Sequence, residues 1–206
     1  MQIGTLRAIW RYPIKSLRGE MLNESPVLAT GLEGDRVFAI INDSGPRLGK
    51  PYRGKEDDRL HRFSPEEAAV LPLDAHFHSD EGGLYFDDAP VSLILDRWLD
   101  GLSSYVGYRV EYERFRPNFY VEADPGVAID EAMLTGRELR LGGVTLRVRY
   151  PIERCVVPTY ALDEGAPDPR ILRYVAQARS NWMGIYCDVP RAGIARTGDS
   201  LELIER

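Results

Sequence analysis

A mostly β protein, with a β-barrel core and a few inserted α-helices, is the fold class this sequence predicts. Three observations carry that prediction. Two-residue hydrophobic alternation recurs along the chain, a pair of glycines joins two such segments, and helical patterning is confined to three stretches. Many short strands with few helices between them fit a barrel or sandwich and not a parallel α/β fold.

The first strand is "TLRAIWRYP": Leu6, Ala8, Trp10 and Tyr12 fall on one face, Arg7, Ile9 and Arg11 on the other, and Pro13 stops it. "RVFAII", Arg36 to Ile41, is a nearly continuous apolar run before the turn signal "NDSG", the pattern of a strand buried on both faces. Residues 43–62 hold six arginines or lysines and five glycines or prolines and read as a long surface loop. Ser64-Pro65-Glu66-Glu67 forms a capping box and predicts a short helix ending near Pro72.

After Pro90, the stripe Val91, Ile94, Leu95, Trp98, Leu99 and Leu102 has helical spacing and predicts an amphipathic helix over 90–102. "ELRLGGVTLRVRY" predicts a hairpin turning at Gly142 and Gly143, because glycines supply the positive φ angles of a tight turn. Asp168-Pro169 opens a third helix with Ile171, Leu172, Val175 and Ala178 facing inward. In the tail, Ile185, Cys187 and Val189 share one face, and Leu201 and Leu203 share another after the Gly198-Asp199 turn. That periodicity makes Cys187 a core thiol.

At 206 residues the chain can bury a substantial core, as one large domain or two small ones sharing an interface. An apolar fraction of 44%, with no run long enough to span a membrane, predicts a water-soluble protein with no membrane partner. No secretory signal opens the chain, which predicts a cytoplasmic location. The net charge of -6 argues against a nucleic-acid partner and leaves room only for small basic pockets. Two cysteines cannot supply the thiolates of an ordinary iron-sulfur cluster, there is no CxxC pair, and a Cys155–Cys187 disulfide is not expected in a reducing compartment. His61, His76 and His78 read as surface histidines, since the H-x-H pair lacks a third metal ligand.

Four segments could carry chemistry. In "YPIKSLRG", Lys15, Ser16 and Arg18 follow the first strand and offer cations and a hydroxyl suited to a phosphate, or equally an exposed polar loop. Arg36 in "GDR" joins such a set, or pairs with its neighbour Asp35. In "ERFRPNFYVE", Arg114, Arg116 and Asn118 alternate toward one side if the segment is extended, as Pro117 favours for Arg116. Two guanidinium forks and an amide can grip a heteroaromatic edge or an oxyanion. Finally, Cys155 beside Arg154 at a strand end is a core residue, a nucleophile or a soft-metal ligand.

Taken in order, "YPIKSLRG", "GLEGDRVFAI", "RFRPNFYVE", "ERCVVPTYALDEGAPDP" and "GIARTGDSLEL" resemble the MOSC family, named after the C-terminal domain of molybdenum cofactor sulfurase. Within it they look most like the branch of the amidoxime-reducing component and its bacterial relatives. The resemblance runs from about residue 3 to residue 204. It implies an N-terminal β-barrel part over 1–85, a MOSC domain over 86–206, and a molybdenum cofactor (molybdopterin) site between them. By the same resemblance Cys155 is the sulfur ligand to molybdenum and the catalytic residue, Lys15 and Ser16 contact the cofactor phosphate, and Arg36 supports its anionic end. Arg114, Arg116 and Asn118 then hold the pterin edge, while Arg154 keeps the Cys155 sulfur ionised. The implied activity, independent of pyridoxal phosphate, is reduction of small N-hydroxylated or other oxygenated substrates with electrons from a separate electron-transfer protein. The alternative is a cofactor or sulfur carrier that uses a Cys155 persulfide. One departure from the family pattern stands out: the family's reductases commonly carry a small hydroxyl residue two places before the cysteine, where this chain has Glu153.

Overall fold

The computed structural model describes residues 1–68, 74–79 and 85–204. Strands β1 (Gln2–Arg11), β2 (Glu20–Leu22), β3 (Glu24–Leu28), β4 (Gly31–Leu32) and β5 (Phe38–Asn42) lead to helix α1 (Pro65–Ala68). Strands β6 (Ala75–Ser79) and β7 (Val91–Leu95), helix α2 (Asp100–Val106), strand β8 (Phe119–Ala123) and helix α3 (Glu131–Leu134) follow. The chain ends with β9 (Glu138–Leu141), β10 (Val144–Glu153), α4 (Pro169–Ala178), β11 (Trp182–Arg191), β12 (Gly193–Arg196) and β13 (Ser200–Leu203).

These elements form two compact units, one made of Met1–Trp10, Met21–Glu33 and Asp88–Arg206, the other of Arg11–Glu20 and Gly34–Asp87. The larger unit is a closed β-barrel of 7 strands, in the order β13-β9-β10-β11-β7-β8-β1, sealed by the antiparallel pairing of β1 with β13. Closure removes the open sheet edges that would otherwise template pairing with other chains. Strands β7 and β8 run parallel. Strands β12, β3 and β4 form a separate small sheet in the same unit.

The alternation predicted for β1 holds only as far as Leu6. Leu6 and Ala8 oppose the adjacent residues Val121 and Tyr120, so Arg7 is the extra residue of a β-bulge. Beyond the bulge Ala8 is buried as expected, but the residue after it is buried too. Ile9, expected beside the arginines, is fully buried opposite Phe119.

The helix predicted over 90–102 is corrected in its first half. Residues 91–95 are strand β7, hydrogen-bonded between β11 and β8 and buried at all five positions. A strand covered on both faces shows no period of two, and a short apolar run then cannot be told from a helical stripe. The second half is helical: Trp98 lies in a 3-10 turn, and Leu102 and Val106 are buried on α2.

The hairpin of β9 and β10 turns at Gly142 and Gly143 as predicted, with Leu141 opposite Val144. Gly142 has a φ of 53°, and a Cβ there would meet the Asp199 carboxylate at 2.2 Å. Helix α4 starts at Asp168, whose side chain accepts the Arg170 N–H, and buries Ile171 and Val175; Leu172 is half-buried and Ala178 is exposed, contrary to expectation. A four-residue apolar face is too wide for a helix that meets the core at only two turns.

In the smaller unit β5 pairs with β6, and Ile14, Leu17, Ile40, Leu60 and Ala68 make its core. The capping box of α1 is present, with Glu67 N–H donating to Ser64 Oγ at 3.2 Å and Ser64 N–H to Glu67 Oε2 at 2.7 Å. Its predicted end near Pro72 lies outside the described residues. Within 43–62, expected as surface loop, a 3-10 turn over Leu60–Arg62 buries both Leu60 and His61. Leu60 is an anchor of the core, and the turn that inserts it carries the histidine inward.

Ile9→Ala is therefore expected to cost about 3 kcal/mol, the usual range for emptying a large buried aliphatic site. Arg7→Ala, which removes an exposed pair with Glu122, should change stability by less than about 0.5 kcal/mol. Urea unfolding of both variants checks the bulge: equal losses would contradict it.

Candidate functional site

Residues 12–15 of the smaller unit lie alongside 36–38. Arg36 N–H donates to Tyr12 O at 2.7 Å, Phe38 N–H to Pro13 O at 3.1 Å and Lys15 N–H to Phe38 O at 2.8 Å. This short ladder places Lys15 and Arg36 in one neighbourhood. Arg36, with a φ of 51°, and Ser16, just past the ladder with a φ of 71°, are in the left-handed region. Conformations of that kind cost non-glycine residues about 1–3 kcal/mol and concentrate at ligand sites and switches.

Both cations face carboxylates. Lys15 Nζ donates to Tyr85 O at 3.0 Å and pairs with Asp87. Arg36 pairs with the buried Asp35, as one reading of "GDR" anticipates, and lies over the Tyr12 ring at 4.8 Å. Asp35 in turn accepts the Tyr12 N–H at 2.6 Å. Burial works against the charged guanidinium, but Asp35, Tyr12 and Asp87 outweigh it and raise the Arg36 pKa above its ordinary value. The Ser16 hydroxyl turns elsewhere, donating to Tyr52 O at 3.2 Å.

In the larger unit the segment around Arg114 is not extended. Residues Tyr112–Phe115 form a 3-10 turn, which Arg116 closes in a left-handed conformation with a φ of 52° by donating its N–H to Glu113 O at 3.0 Å. Pro117 bars a right-handed continuation, and the chain leaves by the left-handed route instead of the extended one. Alternation of Arg114, Arg116 and Asn118 along one side is thereby lost.

Arg114, nearly buried, donates to Glu111 at 2.7 Å and to Tyr160 O at 2.6 Å, tying its turn to the segment that follows Cys155. Asn118 is fully buried. Its amide donates to Trp10 O at 3.1 Å and its Oδ1 accepts from Ser92 N–H at 3.0 Å and Ser92 Oγ at 3.1 Å, which clasps β1, β7 and β8 together.

Cys155 is exposed just beyond the end of β10 and is a free thiol. Its flanks are fixed by hydrogen bonds. Arg154 N–H donates to Asn181 O at 3.0 Å, and its guanidinium donates to Met183 O at 2.7 Å and Phe115 O at 3.0 Å while lying 5.3 Å from the Phe115 ring. On the other side Thr159 Oγ1 donates to Val156 O at 2.7 Å, and Asp168 N–H donates to Thr159 O at 2.7 Å. Hydrogen bonds from Arg170 hold the Asp168 carboxyl down at about 2, so it remains an anionic cap on α4. A soft sulfur donor is thus presented to solvent on a braced strand end.

Cys187 is the opposite case. It is fully buried in the barrel core, as the periodicity predicts, and burial pushes its thiol far above the ordinary range. His76 and His78 are exposed on β6; His76 Nδ1 lies 2.6 Å from Asp43 and His78 Nδ1 2.6 Å from the Tyr85 hydroxyl. No cluster of three or more His, Cys, Asp or Glu fit for a metal ion occurs among the described residues. No helix is long and apolar enough to cross a membrane among those residues.

Sequence reasoning missed Tyr85 and Asp87, the partners of Lys15. They lie some 70 positions downstream of it, and a lone carboxylate at that separation leaves no periodic signal.

Residues 72–202 match the MOSC domain family, and residues 3–83 match the MOSC N-terminal beta barrel domain family. The chain is 24% identical to mitochondrial amidoxime-reducing component 1 of Mus musculus, over 81% of this chain and 68% of that one. It is 24% identical to mitochondrial amidoxime reducing component 2 of Homo sapiens, over 96% and 83% respectively. Among solved structures, the YUAD protein from Bacillus subtilis is similar with a TM-score of 0.62 at 16% identity, covering 98% of this chain and 96% of that one. YiiM from Escherichia coli is similar with a TM-score of 0.50 at 15% identity, covering 98% and 70%. The structural likenesses establish the fold.

Two measurements follow. Thiol titration of the native protein with an aromatic disulfide should label Cys155 rapidly and Cys187 only on unfolding; fast labelling of both would contradict the burial described. Asn118→Ala, which removes the side-chain hydrogen bonds to Trp10 O in β1 and to Ser92 in β7, should cost about 2–4 kcal/mol in urea unfolding.

Proposed function

The chain belongs to the MOSC family, and from that premise we propose that it is a molybdenum-cofactor-dependent oxidoreductase that reduces N-hydroxylated compounds. Curated relatives named for amidoxime reduction support the reaction class. The observation that carries the reading is the contrast between the two cysteines: one is sealed in the core, the other is held at a braced strand end and open to solvent.

The donor set fits the cofactor in kind. Cys155 offers a thiolate, the ligand that a molybdenum already bound by dithiolene sulfurs accepts most readily. In the smaller unit, Lys15 and Arg36 offer the cations that a terminal phosphate requires. When bound, the cofactor supplies two-electron oxygen-atom transfer from substrate, with water as product and a separate protein as electron donor.

The chain's own residues have narrower tasks. Cys155 would anchor the metal, and Arg154, its neighbour in the chain, would add positive charge to the site. Arg154 and Arg114 hold the surrounding backbone rigid through the carbonyls of Met183, Phe115 and Tyr160. Lys15 and Arg36 bind the phosphate, with Ser16 supplying backbone at the same turn. Arg116 faces the pterin edge. Asn118 acts one step back, holding in place the strand that the Arg114–Arg116 turn leads into. We place the protein in the cytoplasm.

One observation favours a second reading, transfer of sulfur as a Cys155 persulfide. Glu153, two residues before the cysteine, is exposed and adds negative charge where an anionic cofactor would be held.

Protein purified from a host that makes molybdenum cofactor should contain about one molybdenum per chain and reduce a simple amidoxime with a chemical reductant. Cys155→Ser should lose the activity and most of the metal. Metal-free wild-type protein, under conditions that load a control molybdoenzyme, would overturn the enzyme reading; a persulfide on that metal-free Cys155 would establish the sulfur carrier.

A further inference from the structure

Lys15 and Arg36 are neutralised, charge for charge, by carboxylates of the same unit. The two carboxylates differ in kind. Asp35 is buried, holds the Tyr12 N–H and is locked to Arg36. Asp87 has a side chain 74% exposed, and its partner Lys15 is only 17% exposed.

Segment 85–87 is bonded to the backbone of Arg36 and to the ammonium of Lys15. Tyr85 N–H donates to Arg36 O at 2.8 Å, Tyr85 O accepts from Lys15 Nζ at 3.0 Å, and Asp87 reaches the same ammonium. Asp87 also acts on the Arg36 guanidinium. Its carboxylate therefore pairs with one cation and lies within electrostatic reach of the other, in the field that would attract an external anion.

We propose that Asp87 is an intramolecular stand-in for the bound anion, holding Lys15 until a phosphate-bearing ligand displaces it. This rests on the reading of Lys15 and Arg36 as phosphate-binding residues. Displacement needs little rearrangement: Lys15 stays fixed by Tyr85 O, Arg36 keeps Asp35, and only an exposed side chain in irregular backbone turns outward. A pair whose carboxylate side is open to solvent can exchange that carboxylate for another anion while the ammonium stays in place.

The arrangement also selects by charge. A monoanionic carboxylate ligand would only replace one monoanion with another, whereas a phosphate monoester brings a second negative charge and more acceptor oxygens. Asp87 thereby sets a threshold that favours dianions and keeps the site neutral when empty.

The test is titration of the full chain, purified without cofactor, with inorganic phosphate and with acetate, followed by calorimetry. Asp87→Asn should tighten phosphate binding about tenfold, by removing a like charge at short range. It should also let acetate bind measurably. Asp74→Asn, an exposed carboxylate of the same unit, controls for net charge and should leave binding unchanged. Lys15→Ala should weaken phosphate binding in both backgrounds. If Lys15→Ala weakens binding but Asp87→Asn does not tighten it, or Asp74→Asn tightens it equally, the stand-in role is overturned and the phosphate reading survives. Phosphate binding indifferent to both Lys15→Ala and Asp87→Asn would overturn both.

Discussion

Barrel closure by the pairing of β1 with β13 is the constraint on which the larger unit depends. β1 is bonded on both sides, to β13 through Gln2, Gly4 and Thr5 and to β8 through Gly4 to Ile9. The chain's first and last strands must therefore meet before the sheet has no edge. A closed barrel requires tilt and stagger, and bulges are the means of supplying them. Register shifts occur in β1 beside Arg7 and at three places along β10. Those in β10 decide how the strand ends, and its end carries Arg154 and Cys155.

Rigidity around the cysteine comes from arginines used as braces. Arg114 and Arg154 each bridge to backbone carbonyls of a separate segment, which satisfies acceptors that irregular backbone would otherwise leave open. Gly184, with a φ of 91°, accommodates this: a Cβ there would meet Leu93 O at 3.0 Å and Arg154 Nη2 at 3.1 Å. An acidic protein can in this way keep positive charge where it is needed without a basic surface. Only some of that charge is available to a ligand, because the same guanidinium groups hold the fold.

What was legible in the sequence divides along physical lines. The glycine-turned hairpin, the Asp168 and Ser64 caps and the buried Cys187 depend on local chemistry or strict alternation, and each could be read directly. Strand β7 could not, since burial on both faces erases the period that distinguishes a strand from a helix. Ile9 was misassigned because a single bulge breaks the alternation just before it. At the site, Cys155 and the cations were visible as residue types in order. The left-handed turn at Arg116 was not, because Pro117 permits an extended or a left-handed residue before it, and neither was the role of Asn118 as a clasp, which depends on partners distant in the chain.

The central claim is that Cys155 provides the protein's sulfur to molybdenum. X-ray absorption at the molybdenum edge of loaded protein tests it most directly, by counting sulfur neighbours in wild type and in whatever fraction of Cys155→Ser retains metal. The account predicts one sulfur neighbour fewer in the variant. An identical sulfur shell in both proteins would contradict it and leave the exposed thiol without a metal to bind.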